Sequence, residues 1–347
     1  MTLISLLLGL PALFLSAILT GLLRRYALNS QLLDIPNARS SHSIPTPRGG
    51  GVSIVLVFLL GVPILLYIGV ISLGVMWALI GAGAIAAIIG FLDDHGHIPA
   101  RWRLLAHFMA ATWGLYCLGG LPPLVISLPL DYGNALFNFD LLGQILALFY
   151  LVWLLNLYNF MDGIDGLASI EAITVCIGGA LLYFLSAETA GQWVLPLFLA
   201  FTVAGFLLWN YPPAKIFMGD ACSGFLGLVL GLLSIQAAWI NPLFFWSWLI
   251  LLGVFIVDAT FTLFRRFLQG DKVYEAHRSH AYQYASRYYQ SHKVVSITVG
   301  LINIIWLTPL ALGVGLAKLN PFLGLIIGYL PLILLAIYFR AGQREVK

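Results

Sequence analysis

Polar side chains recur every third residue in Asn156-Leu157-Tyr158-Asn159-Phe160-Met161-Asp162-Gly163-Ile164-Asp165-Gly166, where an apolar run ends. Residues three apart are neighbours on a helix face. A straight helix of 3.6 residues per turn drifts by about 60° per such step, so Asn156 and Asp165 would lie on opposite sides. Gly163 and Gly166 allow a break that brings Asn159, Asp162 and Asp165 round one site. Amides and carboxylates are hard oxygen ligands, suited to Mg²⁺ or Mn²⁺ rather than zinc; a polar loop between two apolar segments is the plain alternative. Asp93 and Asp94 follow another apolar run. Adjacent carboxylates repel and tend to share a metal, a cation or a proton, unless they merely form a solvated helix end facing Arg101 and Arg103. Asp220, in Lys215-Ile-Phe-Met-Gly-Asp-Ala-Cys-Ser-Gly224, stands where a helix N-cap would stand, and capping alone would explain it. The same place lets a helix N-terminus, Lys215 and a metal held by Asp220 converge on a phosphate. Beside two other acidic clusters, the metal site is the favoured reading.

Cations accompany these acids. The stretch 265–293 holds Arg265, Arg266, Lys272, His277, Arg278, His280, Arg287 and Lys293; without cysteine partners His277 and His280, with Arg278, read as anion contacts rather than a zinc site. In 34–51, prolines and glycines fix an irregular backbone carrying Arg39, His42 and Arg48, candidate phosphate contacts. No Walker A or GxGxxG sequence is present, so nucleoside triphosphate hydrolysis lacks its usual cradle. Asp258 lies inside an apolar run, and an intramembrane carboxylate is functional by default.

The elements that must position these groups are membrane spans. Of 347 residues, 61% are hydrophobic and 9% charged, far below the roughly 25% charge of a soluble domain. Apolar stretches fall at 3–23, 50–69, 71–92, 104–119, 141–158, 167–186, 192–209, 223–240, 243–264, 294–316 and 321–339, each near the ~20 residues that cross a bilayer. The first has no basic residue ahead of it and Arg24 and Arg25 behind it, and reads as a retained span rather than a signal peptide. The expected fold is all-α: one helical membrane domain over 1–347 with about eleven transmembrane helices. Alternation puts 24–49, 93–103, 159–166, 210–222, 265–293 and the tail 340–347 on one face, with 16 of the 17 Lys and Arg residues; Lys318 is the exception. The positive-inside bias makes that face cytoplasmic, with a periplasmic N-terminus and a cytoplasmic C-terminus. The three cysteines offer neither a disulfide framework nor a CxxC motif.

Metal-binding acids and phosphate-binding cations at one face of a helical bundle are joined most simply by metal-assisted phosphoryl transfer between a soluble phosphorylated donor and a lipid phosphate. A transporter of an anionic or lipid-linked substrate is the main rival, but its polar residues should gather near mid-membrane. A non-catalytic scaffold gives no reason for three acidic clusters.

From about Asp34 to His280 the chain resembles the polyprenyl-phosphate N-acetylhexosamine-1-phosphate transferases, the superfamily of the phospho-MurNAc-pentapeptide translocase and the enzymes that start O-antigen and enterobacterial common antigen synthesis. The resemblance rests on DIPNARSSH with PRGGG, the FLDD pair, NFMDGIDGLA, FMGDACSG and the RR…HRSH loop, in that order; HRSHAYQ is most similar to the O-antigen branch. It implies Asn159 and Asp220 as Mg²⁺ ligands and Asp93 and Asp94 as the family's aspartate pair, one of which deprotonates or positions the lipid phosphate. It also implies Asp162 and Asp165 as essential acids, and His277 and His280 near the donor phosphates. Arg101 and Ser41 stand where relatives commonly have lysine, and Cys222 where they have glycine. The implied reaction joins a UDP-N-acetylhexosamine to undecaprenyl phosphate in the bacterial inner membrane with release of UMP, directly or through an aspartyl-phosphate. A 6-deoxy sugar is favoured slightly over N-acetylglucosamine, and UDP-MurNAc-pentapeptide is disfavoured. The lipid bilayer is the surrounding partner, a homodimer is left open, and no nucleic acid partner is expected.

Overall fold

The structure is a computed structural model that describes residues 2–36, 44–96, 98–127, 134–186, 191–271 and 277–344. Its main elements are helices: α1 (Thr2–Asn29), α2 (Val52–Tyr67), α3 (Leu73–Gly96), α4 (Ala100–Leu118), α5 (Asp140–Met161), α6 (Leu167–Leu185), α7 (Val194–Asn210), α8 (Asp220–Ile240), α9 (Pro242–Leu251), α10 (Gly253–Leu268), α11 (Ala281–Tyr289), α12 (His292–Gly315) and α13 (Pro321–Tyr338). Two short antiparallel strand pairs, Leu33–Asp34 with Thr46–Pro47 and Leu124–Ser127 with Asn134–Phe137, complete the described architecture.

Each apolar stretch read from the sequence coincides with a helix or a run of helices. Among the described residues, seven helices are long and apolar enough to cross a membrane, and eight if α9 and α10, bent by 68° at Leu252, count as one broken span. The shortfall from eleven has local causes. Helices α2 and α7 have 16 and 17 residues, near 25 Å at 1.5 Å per residue, and α4 opens with Arg101 and Arg103. Two spans carry π-helical turns, Ala78–Ala82 in α3 and Ile302–Leu307 in α12.

Helix α8 is the axis: 94% of its apolar window is buried inside the protein, against 22% for α1 and 28% for α13. It packs along α5 and α3. Outer helices turn Leu, Ile and Phe outward, such as Leu60, Phe149 and Ile305, as lipid-facing surfaces require. Gly90 sets how closely α3 meets the start of α8, because a Cβ there would lie 2.4 Å from the Asp220 carbonyl oxygen.

Candidate active site

One end of the bundle gathers the acids. A cleft of about 240 Å³ takes Asp34 from beyond α1, Arg48 from before α2, Asp94 from the end of α3, Asp162 and Asp165 from the α5–α6 turn, and Asn210 from the end of α7. Asp220 from the start of α8, Gln283 of α11 and His292 at the start of α12 complete its walls. Five carboxylates thus face one guanidinium and one imidazole.

Local backbone chemistry builds these walls. The PRGGG and FMGD segments are zipped together: Phe217 N–H donates to Pro47 O at 2.8 Å, and Gly50 and Gly51 N–H donate to Phe217 and Met218 O at 2.9 Å. Gly219 then turns the chain with φ +83°, a left-handed conformation that favours glycine. A Cβ there would also meet an Asp94 carboxylate oxygen at 2.9 Å. Gly219, not Asp220, is the N-cap residue of α8. The capping reading of Asp220 is therefore replaced: Asp220 is the first helical residue, and Asp94, arriving from α3, accepts from Ala221 N–H at 3.3 Å. A carboxylate at a helix N-terminus is stabilised by the helix dipole.

The aspartate pair divides. Successive helical residues point about 100° apart, and Asp94 turns into the cleft while Asp93 pairs with Arg103 and accepts from Ile98 N–H at 2.7 Å. Arg103 also comes within 4.0 Å of Asp220. The two carboxylates do not share one partner. Arg101, by contrast, is exposed, with its guanidinium 5.7 Å from the Trp102 ring centroid.

In the α5–α6 turn, Asp165 accepts from Ala214 N–H at 3.0 Å and lies 3.3 Å from His292 Nδ1. Asn210 ties the same turn to the next loop, accepting from Gly166 N–H and donating to Ile216 O, both at 3.0 Å. Burial holds Asp162 well above the ordinary carboxylate range, and the charges of Asp220, Asp94 and Asp165 push it further. Asn159 donates to Ser223 Oγ at 3.1 Å and is a side-chain partner of Asp220.

Mutual repulsion among oxygen ligands is what a hard divalent cation relieves, so the residues present fit Mg²⁺ or Mn²⁺. Asp220 and Asn159, with Asp162 beside them, would hold it. Among the described residues no three His, Cys, Asp or Glu side chains are already closed round a metal position.

A second cleft of about 620 Å³ shares Asp165 and His292 with the first and is lined by Arg278, Arg287 and Lys293. Other expected contacts fall elsewhere. Lys215 lies over the Trp209 ring, 5.7 Å from its centroid, and lines neither cleft. Cys222 is buried against the Gly51 backbone. Arg39, His42 and Ser41 lie outside the described residues.

The histidine motif is arranged differently from a phosphate-facing pair. His280 is 2% exposed, and its Nδ1 is 3.3 Å from Asp258. That carboxylate also accepts from Ala281 N–H at 2.9 Å, Tyr282 N–H at 3.0 Å and the Thr262 hydroxyl at 3.1 Å. Asp258 thus caps α11 from another helix, and α11 in turn brings Gln283 to the cleft and the Tyr282 hydroxyl to Phe160 O at 2.9 Å. His277 stacks on His280 with centroids 4.9 Å apart. Burial, then the charges of His280 and Arg266, lowers His277 to about 3, so at neutral pH it is an uncharged hydrogen-bonding group. Arg278 is the member of the motif that lines a cleft.

Asn210 and His292 are site residues that the motifs did not single out, while Asp34 opens DIPNARSSH, Gln283 closes HRSHAYQ and Arg103 was read only as a cation facing the aspartate pair. The adjacent signal for His292 was the cationic loop; for Asn210, at the quiet end of an apolar run, there was none.

The family model for glycosyl transferase family 4 matches residues 76–238, the stretch that supplies Asp94, Asp162, Asp165 and Asp220. The chain is 29% identical over 293 residues to a Bacillus subtilis protein named "Probable undecaprenyl-phosphate N-acetylglucosaminyl 1-phosphate transferase", covering 83% of this chain and 79% of that one. It is 33% identical over 251 residues to the decaprenyl-phosphate N-acetylglucosaminephosphotransferase of Mycobacterium tuberculosis H37Rv, covering 67% and 60%. Against the undecaprenyl-phosphate alpha-N-acetylglucosaminyl 1-phosphate transferase of Thermotoga maritima it is 28% identical over 233 residues, covering 63% and 62%. With the acidic motifs brought to one end of the bundle and the matched region running through them, these likenesses support the polyprenyl-phosphate N-acetylhexosamine-1-phosphate transferase superfamily as the family of this chain.

Proposed function

We propose that this protein transfers an N-acetylhexosamine-1-phosphate from a UDP-sugar to undecaprenyl phosphate at the cytoplasmic face of the bacterial inner membrane. The reading is carried by the acidic cleft and the basic cleft sharing one wall at Asp165 and His292. A pyrophosphate donor needs cationic contacts along its length, which Arg278, Arg287 and Lys293 offer. A divalent cation at Asp220 and Asn159 would supply charge neutralisation of the pyrophosphate.

In this reaction an oxygen of the lipid phosphate forms a bond to the β-phosphorus of the donor. The bridging P–O bond breaks, and UMP departs with the bridging oxygen. The chain positions both partners and screens their charge, which is most of what phosphoryl transfer asks of a protein. Gathering these groups at helix ends lets a soluble nucleotide reach them, unlike the mid-membrane site of a transporter. An apolar cleft of about 370 Å³ adjoins α11, with Tyr282 in its wall one residue before Gln283 of the acidic cleft, so α11 contributes to both.

This reading carries eleven crossings with the cationic ends inside, and a role at the first membrane step of an O-antigen or another envelope polysaccharide. A 6-deoxy N-acetylhexosamine leads as donor sugar on the HRSHAYQ variant; N-acetylglucosamine, the sugar in the relatives' names, follows. The test is purified protein with undecaprenyl phosphate, Mg²⁺ and each UDP-sugar. UMP release that EDTA abolishes is the expected result. Release of UDP would replace the reaction class, and preference for UDP-MurNAc-pentapeptide would replace the branch.

A further inference from the structure

Glu171 is fully buried in α6, among apolar side chains, and is not one of the residues that line the acidic cleft. Asn303, in the π-helical turn of α12, donates from Nδ2 to Glu171 Oε2 at 2.6 Å and to the Thr174 hydroxyl at 2.8 Å. The backbone amide of Phe255, in the first turn of α10 just past the break at Leu252, faces the same carboxyl group. First-turn amides have no partner within their own helix, and this carboxyl lies beside one of them. One side chain therefore joins the broken span, the π-helical turn and α6.

The hydrogen-bond accounting leaves two atoms over. Glu171 Oε1 and Asn303 Oδ1 are both buried and both without a partner. An ionised carboxylate and an amide oxygen are acceptors only, so they cannot satisfy one another, and each orphan is costly away from water. One proton on Oε1 changes this, because it supplies the donor that Asn303 Oδ1 lacks and closes the pair into a two-bond acid–amide ring. Terminal sp³–sp² torsions are soft enough to bring the two atoms into register. No Lys, Arg or His partner of Glu171 occurs among the described residues. The titratable groups facing it, Tyr158 and Tyr329, donate their hydroxyl protons to Ala168 O and Leu249 O, both at 2.7 Å.

We propose that Glu171 carries its proton inside the membrane and, as a neutral acid paired with Asn303, is a positioning residue that fixes the broken span. Its influence reaches the acidic cleft through α10, whose Asp258 caps α11. The protonation state needs no assumption about the reaction, and its readouts use no substrate.

The test compares wild type with Glu171→Gln and Glu171→Ala in lipid nanodiscs. Glutamine sets a donor group beside an acceptor oxygen, as the protonated acid does, with one additional N–H. The wild-type-minus-Gln infrared difference spectrum at neutral pH should show the carbonyl band of a hydrogen-bonded carboxylic acid and no carboxylate bands. Glu171→Gln should melt within about 2 °C of wild type, and Glu171→Ala about 5 °C or more below it. Carboxylate bands in that spectrum, a melting temperature that depends on Na⁺ or K⁺ only when Glu171 is present, or failure of Glu171→Gln to fold would each overturn the proposal. Retention of all these features in a protein inactive toward every UDP-sugar would count against the proposed reaction and leave Glu171 as described.

Discussion

Replacing Asp258 with Asn separates a positioning role from a catalytic one. The carboxylate takes four donors: Ala281 N–H, Tyr282 N–H, the Thr262 hydroxyl and His280 Nδ1. Asparagine keeps one acceptor oxygen and turns an NH₂ group toward the rest, so one buried backbone N–H faces another donor. An unsatisfied buried donor costs about 1–3 kcal/mol, and loss of a helix cap about 0.5–2 kcal/mol. These describe the same bond, so they are not added, and a central value of about 2 kcal/mol is expected. At 1.4 kcal/mol per factor of ten, the start of α11 should open roughly thirty-fold more often. Hydrogen exchange followed by mass spectrometry on the purified protein reads this directly: protection across 280–284 should fall by about that factor while α8 stays protected. Donor KM should rise more than kcat falls, because Gln283 and the neighbouring basic cleft lose their support. Lost activity with unchanged exchange in α11 would refute the reasoning and make Asp258 a group that acts on substrate.

Asp220→Asn should abolish UMP release while leaving expression and melting near wild type; activity retained at ordinary Mg²⁺ would remove Asp220 from the metal site. Gly90→Ala puts a methyl group against the Asp220 backbone and should destabilise by about 1–3 kcal/mol, read as a lower melting temperature. Because Asp162 is held above the ordinary carboxylate range by burial and by Asp220, Asp94 and Asp165, its neutral form favours the folded apo protein. That stability is fully present below the unfolded pKa and is lost as pH rises through the folded one. Bound Mg²⁺ should reverse the trend at the alkaline end, and Mg²⁺ affinity measured by calorimetry should weaken as pH falls.

The positions of the spans were legible because apolar runs report burial in lipid directly. The number of crossings was less so, since α2, α4 and α7 are short or carry charge at an end. Grouping Asp162, Asp165 and Asp220 was legible too, because desolvating acids at span ends requires a reason. Which of two neighbours turns inward was not: Asp93 and Asp94 look alike in sequence, and only the packing of α3 against α8 separates them. His280 shows the same limit. Its motif suggests an anion contact, yet Asp258, 22 residues earlier, takes its Nδ1. Asn210 owes its place to elements that meet only in three dimensions, whereas Arg103 pairs with Asp93 ten residues away, as the sequence allowed.

The acidic cleft draws its walls from residues as far apart as Asp34 and His292. A ribosome delivers those walls in order, so a chain halted after α8 holds Asp94, Asp162, Asp165 and Asp220 but lacks Gln283 and His292. The last walls to be made, Gln283 and His292, are thus the ones that complete the cleft.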